Sequence, residues 1–435
     1  MRRGGASDKS GNGGAGSSRN KHRPSTASTS TSSRRRRSDS GRRREDLGVE
    51  KIDGSTKSKP RLVKGIQSRG RNSDKNIERD REPRRPKTCE DAEPAQLPAQ
   101  SYKSNKDLDR DKPVTPEQKA CFEEFSREAL NKGIQGILDE YTKELAPYIP
   151  PGMTRKAFDA NPQKNRYGDV VCIDQTRVIL KHQMNDYIHA NYVQGYPLLN
   201  IFICTQGPTM GTVKDFWRMI SQEQVGNIIM LCDTIEMGKD KCTPYWPREE
   251  GCAVEWPGIQ VKNTKVDTSD TTTVVSNLEV VIDKKERFIL KHHHWRSWPD
   301  KSVPQSVLAP FRLLKSVRHS QKPTVVHCSA GIGRTGSVVA LEVCYQQLLC
   351  EQNLSVLDMV RWLRQQRMHS VQTDLQYVYL FKCLLFFASK NKLVPPEMAT
   401  QLQKFDEEYQ RLIDERNKGE KKELYAPLVP SALRK

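Results

Sequence analysis

Between Pro323 and Gly336 the chain passes from a β-branched run, Thr324 to Val326, through a turn of small residues, Cys328 to Gly333. It then enters the apolar spacing of a helix over Ser337 to Leu349. This order predicts a strand, a tight loop and a helix in direct succession. A loop of small residues can turn its backbone N–H groups inward, and the helix behind it adds the positive end of its dipole. The unit is suited to holding an anion.

Two side chains on it match that chemistry. Arg334 lies near the helix start, where its planar fork can hold two oxygens of a phosphate. Cys328 lies under the same dipoles, which favour a negatively charged, nucleophilic sulfur. His327 can brace the loop by hydrogen bonding, and Thr335 can bring a hydroxyl to the sulfur. Two plainer readings compete. Gly331-Ile-Gly-Arg-Thr-Gly336 also fits the dinucleotide fingerprint G-x-G-x-x-G. Its partner acid would then be Asp358, inside an amphipathic helical pattern, and Cys328 and Arg334 would have no task. The other reading is a buried structural cysteine.

The basic excess of this 435-residue chain is uneven. Residues 1–113 hold 30 Lys and Arg against 16 Asp and Glu, a net +14, while residues 114–435 carry 42 against 37, a net +5. The first stretch is rich in Ser, Gly, Arg and Asp and poor in large apolar residues, so a disordered basic arm is expected over 1–113. Its blocks Arg34 to Arg37 and Arg42 to Arg44 suit an anionic partner, whether nucleic acid, anionic lipid or an import receptor; a solvated tail with no single partner is the plain alternative. No run of about eighteen apolar residues predicts a transmembrane helix, and no apolar run follows the first residues as in a signal peptide. Eleven cysteines without a paired framework fit free thiols in a reducing, intracellular compartment: cytoplasmic, with the nucleus open through Arg34 to Arg44.

Order is expected from the N-cap signal at Thr115, followed by helices marked by Phe122, Phe125, Ala129, Leu130, Ile134, Ile137 and Leu138. Alternation between Val261 and Leu290 predicts antiparallel strands with turns. His292, His293 and His294 hint at a metal, but successive strand residues point to opposite faces and no matching ligand set is near, so no metal site is expected. Past Pro396, Met398, Leu402, Phe405, Tyr409 and Leu412 step by four and three as in an amphipathic helix, one expected to pack on the domain, with a partner as the alternative.

His327-Cys-Ser-Ala-Gly-Ile-Gly-Arg-Thr-Gly336 resembles the signature of the tyrosine-specific, non-receptor protein tyrosine phosphatases, within the Cys-x5-Arg cysteine-dependent phosphatases. Further blocks resemble that family in the same order: Lys164-Asn-Arg-Tyr-Gly-Asp169, Asp186-Tyr-Ile-His-Ala-Asn-Tyr192, Glu236 to Pro247, Trp298-Pro-Asp300 and Ser370 to Gln376. The resemblance implies an α/β (α+β) fold, a highly twisted mixed sheet flanked by helices. The catalytic domain is expected over 114–391, with a helical extension over 392–435.

It implies the roles too. Cys328 would be the nucleophile, and Arg334 would bind phosphate with the loop Ser329, Ala330, Gly331, Ile332 and Gly333. Asp300 would be the general acid and base, and Gln372, beside Gln376, would place water. Tyr167 would stack on the substrate ring and Asp169 would hold the peptide. Trp298, Glu236 and Lys241 would support the site, and Arg364 and Arg367 match the arginines before the glutamine loop. Gly168 departs from the basic residue of many relatives, His189 from a more usual asparagine, and His369 fills a position that is small in members with a second pocket. The implied substrates are phosphotyrosyl proteins, the chain is expected to be a monomer, and no cofactor is needed. Two rival functions are a module that captures phosphotyrosine without turnover and a nucleic-acid binder led by the arm.

Overall fold

The computed structural model describes residues 114–424, with side chains to 418. The arm over 1–113 lies outside the described residues.

Nine strands form one mixed sheet in the order β1-β2-β3-β11-β4-β10-β9-β8-β7. At its centre are β3 (Phe202–Thr205), β11 (Thr324–His327), β4 (Asn227–Met230) and β10 (Glu286–Trp295). These four run parallel, each paired with the next. The first three are buried at every residue, as expected of short apolar strands covered on both faces. On one side β1 (Arg177–Ile179) and β2 (Tyr187–Val193) continue antiparallel. On the other, β9 (Thr273–Ile282) and β8 (Ile259–Asp267) form the antiparallel strands expected from the alternating pattern, and β7 (Ala253–Trp256), before that stretch, adds an antiparallel edge.

Because the four central strands share a direction, their carboxyl ends open onto one edge of the sheet, where ligands bind in sheets of this kind. There β11 leads into Cys328, β10 into Trp298 and Asp300, β3 into Gln206, and β4 into the small hairpin of β5 (Ile235–Glu236) and β6 (Lys239–Asp240). Residues from 205 to 334 are gathered in this way.

Helices cover the sheet. α1 (Pro116–Glu140) opens with a capping box in which Thr115 Oγ1 accepts the Gln118 N–H and Gln118 Oε1 accepts the Thr115 N–H, both at 3.1 Å. It breaks at Gly133, whose φ of 63° lies in the left-handed region that glycine enters at no steric cost. After α2 (Lys156–Asp159), α3 (Val213–Gln222) and α4 (Ala309–Val317) comes α5 (Arg334–Leu349), which is buried at nearly every residue. α6 (Val356–Gln366) and α7 (Asp374–Lys390) follow, with the loop carrying Gln372 between them. α8 (Ala399–Leu424) packs on the domain, with Met398, Phe405 and Tyr409 joining the main core. Among the described residues no helix is long and apolar enough to cross a membrane.

Candidate active site

Cys328 leaves the buried end of β11 only 4% exposed, and its Sγ accepts the Gly331 N–H at 3.2 Å. Two features make Gly331 obligatory. Its φ is +73°, and a Cβ there would lie 2.1 Å from Thr205 O at the end of β3. Gly336 is pressed against the glutamine loop, where a Cβ would meet Val371 N at 2.5 Å. Arg334 begins α5, so the positive end of that helix faces the loop.

The loop is braced from several sides. Ser329 Oγ donates to Lys241 O at 2.9 Å, which leaves Tyr167 Oη to donate to Ser329 Oγ at 2.9 Å. His327 Nδ1 donates to Cys328 O at 3.1 Å, so its Nε2 accepts from Tyr245 Oη at 2.7 Å. Tyr245 in turn accepts from His292 Nε2 at 2.8 Å, which leaves His292 Nδ1 as a buried lone pair without a partner among the described residues. Burial pushes His327 down to about 3, so the relay is neutral. Thr335 is fully buried, and its hydroxyl has no hydrogen-bond partner among the described residues.

Arg334 is the hub of charge. Its Nη1 and Nη2 donate to Glu236 Oε1 at 2.6 Å and Oε2 at 2.9 Å, the bidentate geometry of a strong pair. The same nitrogens reach the Trp298 carbonyl at 3.0 Å and Asp300 Oδ1 at 3.0 Å. Burial opposes the guanidinium charge, but the Glu236 pair and the Cys328 sulfur outweigh it and push its pKa up. Lys241 Nζ donates to the other Asp300 oxygen at 2.5 Å. Burial alone would raise the Asp300 pKa, yet Lys241 and then Arg334 hold it below the usual carboxylate range. Trp298 anchors the acid loop, with its indole buried against Trp295 and Tyr379 and its Nε1 donating to Ser302 O at 3.0 Å.

The glutamine loop closes the site. Arg364 donates to the carbonyls of Ser370 at 2.9 Å and Val371 at 3.0 Å, and Val371 N donates to Ile332 O at 3.0 Å. Gln376 Oε1 accepts the Gln372 N–H at 3.0 Å, while its buried Nε2 has no partner among the described residues. Both glutamines lie over Gly333, where a Cβ would meet Gln372 Oε1 at 3.0 Å and Gln376 Nε2 at 3.1 Å. A recessed sulfur, a guanidinium, a carboxyl and an amide are thus gathered around one loop, a set of groups suited to a phosphate monoester.

A family model described as protein-tyrosine phosphatase matches residues 161–386, more than half of the chain. The chain belongs to the protein-tyrosine phosphatase family. It is 36% identical over 286 residues to tyrosine-protein phosphatase non-receptor type 9 of Homo sapiens, covering 60% of this chain and 47% of that protein. It is 39% identical over 282 residues to receptor-type tyrosine-protein phosphatase eta of Homo sapiens, covering 62% of this chain and 21% of that protein. A solved structure described as the structural basis of the PTPN18 fingerprint on distinct HER2 tyrosine phosphorylation sites aligns with a TM-score of 0.54 and 30% identity, covering 62% of this chain and 99% of that one. The chain spans about half the length, or less, of the curated relatives it matches.

In this phosphatase family member Cys328, Arg334, Asp300, Gln372, Gln376, Thr335, His327, Glu236, Lys241, Trp298 and Tyr167 converge on the sheet edge. Asp169 and Gly168 lie exposed, outside the hydrogen-bonded cluster among the described residues. His369 is half-buried and within electrostatic reach of Asp169. His292 and His294 share a face with ring centroids 6.1 Å apart, while His293 bonds Asn227 at 3.2 Å. Among the described residues no group of His, Cys, Asp or Glu is placed to hold a metal. Sequence reasoning missed Tyr245 and His292 as the brace of His327. No local signal marks them, because their partner lies 82 and 35 residues away along the chain.

Proposed function

We propose that this chain hydrolyses phosphotyrosine in proteins through a phosphocysteine intermediate. The Cys328 thiolate attacks phosphorus in line, while Arg334 and the N–H groups of Ser329 to Arg334 hold the equatorial oxygens. As the P–O bond breaks, Asp300 gives its proton to the tyrosyl oxygen. Gln372 then orients a water, Asp300 takes its proton, and the P–S bond breaks to release phosphate and restore the thiolate. Arg334 supplies the positive charge, with Glu236 holding its fork in place. Tyr167 offers its ring to the substrate tyrosine, and Asp169 offers a carboxylate to the peptide backbone.

The observation that carries this reading is the meeting of two separate segments, the acid loop with Asp300 and the turn with Cys328 and Arg334, with Asp300 bonded to the Arg334 guanidinium at 3.0 Å. Asp300 is held ionised here, whereas the first step needs its proton. A phosphate dianion arriving at Arg334 competes for Nη2 and adds negative charge beside the carboxyl, and both effects raise its pKa. The test is phosphate release in EDTA from a phosphotyrosyl and a phosphoseryl peptide by the wild type and by Cys328→Ser. Turnover of the tyrosyl peptide alone, lost in the variant, is expected. Binding of the peptide without turnover by the wild type would make the protein a capture module and void the roles of Asp300 and Gln372.

We further infer an intracellular monomer whose basic segment over 1–113, with net +14, tethers it to an anionic partner. Arg34 to Arg44 is the stretch that would direct it to the nucleus. Unchanged localisation in cells after deletion of 1–113 would remove this proposal.

A further inference from the structure

Arg367 follows α6 with its side chain fully buried, and it holds the phosphate loop by two carbonyls. Its Nε donates to Gly331 O at 3.0 Å and its Nη2 to Ala330 O at 3.1 Å. Nη1 also donates to Asn191 Oδ1 at 2.7 Å. The last acceptor is the imidazole of His189, whose Nδ1 lies 3.2 Å from both Nη1 and Nη2. Every acceptor around this guanidinium is neutral. A buried cation is costly without a partner, so its geometry depends on these acceptors being fully formed.

His189 sits on β2, buried edge-on against Phe158 with ring centroids 5.8 Å apart. Its Nε2 lies 2.7 Å from Val170 O, and a carbonyl can only accept. The ring proton is therefore on Nε2, and the Nδ1 lone pair faces the guanidinium. The backbone of the same residue joins the loop's other support: its carbonyl accepts from Thr205 Oγ1 at 2.8 Å, and Gly331 packs directly on Thr205 O. Burial, with the Arg367 charge added, pushes His189 down to about 3, so the ring stays neutral.

We propose that His189 is a positioning residue of the phosphate site, its neutral Nδ1 locking the Arg367 fork that sets the Ala330 and Gly331 carbonyls and so the loop N–H groups. This rests on the phosphatase reading above. An aliphatic side chain at 189 leaves the two Nη groups short of an acceptor and lets the fork turn; an amide side chain restores one.

The test compares His189→Leu, His189→Asn and His189→Gln by three readouts: competitive inhibition by inorganic phosphate, kcat and KM on a phosphotyrosyl peptide, and the thermal midpoint. In folded His189→Leu, phosphate inhibition weakens and kcat/KM falls by about tenfold or more, the effect of leaving a buried charged donor unpaired. His189→Asn or His189→Gln recovers most of both. Wild-type phosphate affinity and turnover in His189→Leu would overturn the proposal. Equal losses in all three variants would do the same, since packing alone would explain them. Should His189→Leu not fold, the amide variants decide: wild-type phosphate affinity in either supports the role, and tenfold weakening in both removes it. A wild type that turns over no phosphotyrosyl peptide overturns the proposed function instead, and is established before any variant is compared.

Discussion

Lys241 shows how one residue sets the chemistry of another. Its ammonium donates to Asp300, whose carboxyl burial alone would push up; with Arg334 it turns that shift downward. Removing it in Lys241→Met takes away a cause that lowers the Asp300 pKa. If Asp300 must carry its proton for the first step, the alkaline limb of the kcat/KM profile moves to higher pH in the variant. The limb is expected to vanish in Asp300→Asn, with kcat down by about 10²- to 10⁴-fold, the usual contribution of a general acid. An alkaline limb unmoved by Lys241→Met would assign it to another group. Gly331 is constrained differently: its φ and its approach to Thr205 O both exclude a side chain, so it is required by shape alone.

At the scale of elements, the C-terminal helix completes the core. Phe405 and Tyr409 of α8 are buried, Lys382 of α7 pairs with Asp406 at 2.6 Å, and Arg416 pairs with Asp374 at 2.5 Å. Asp374 opens α7 two residues after Gln372, so α8 also touches the helix that carries the glutamine loop. The pairs are partly exposed and contribute little; the apolar contact dominates. Phe405→Ala is expected to cost about 3 kcal/mol or more in denaturant unfolding, as for other buried phenylalanines. A cost below about 1 kcal/mol, within the range of surface changes, would mean that α8 leaves the domain in solution. The acid loop is tied just as locally: Arg296 meets Asp233 at 3.2 Å where the loop leaves β10, and Trp298 is locked at its other side.

Across the whole molecule the histidines make the fold sensitive to acid. Burial pushes His189 and His327 down to about 3 and His293 and His294 down to about 4, and it lowers His292 as well. Their folded pKa values lie below the unfolded value of about 6.5, so the unfolded chain binds more protons between the two. The stability this provides is complete above about pH 6.5 and is lost as pH falls through the folded values, at up to about 1.4 kcal/mol per pH unit for each histidine. Unfolding midpoints in urea measured from pH 7.5 to 4.5 should fall steeply below pH 6.5. A flat profile would show that these rings are protonated in the folded protein.

The sequence by itself determined the elements whose cause is local. Thr115 and Gln118 cap α1 through atoms three residues apart, the β-branched run ending at Val326 makes β11, and the small residues after Cys328 make the turn. It also determined, through motif resemblance, that Tyr167, Glu236, Lys241, Asp300, Arg334, Gln372 and Gln376 belong together. Only the tertiary structure decided how they meet. The parallel run of β3, β11, β4 and β10 brings the acid loop, the Glu236 hairpin and Cys328 to one edge, and nothing in any single segment specifies that order. The same holds for His292 in its relay and for His189, which the chain alone shows only as a departure from a more usual asparagine. A buried polar side chain takes its meaning from the partner that satisfies it, and for His189 that partner, Arg367, stands 178 residues away in sequence.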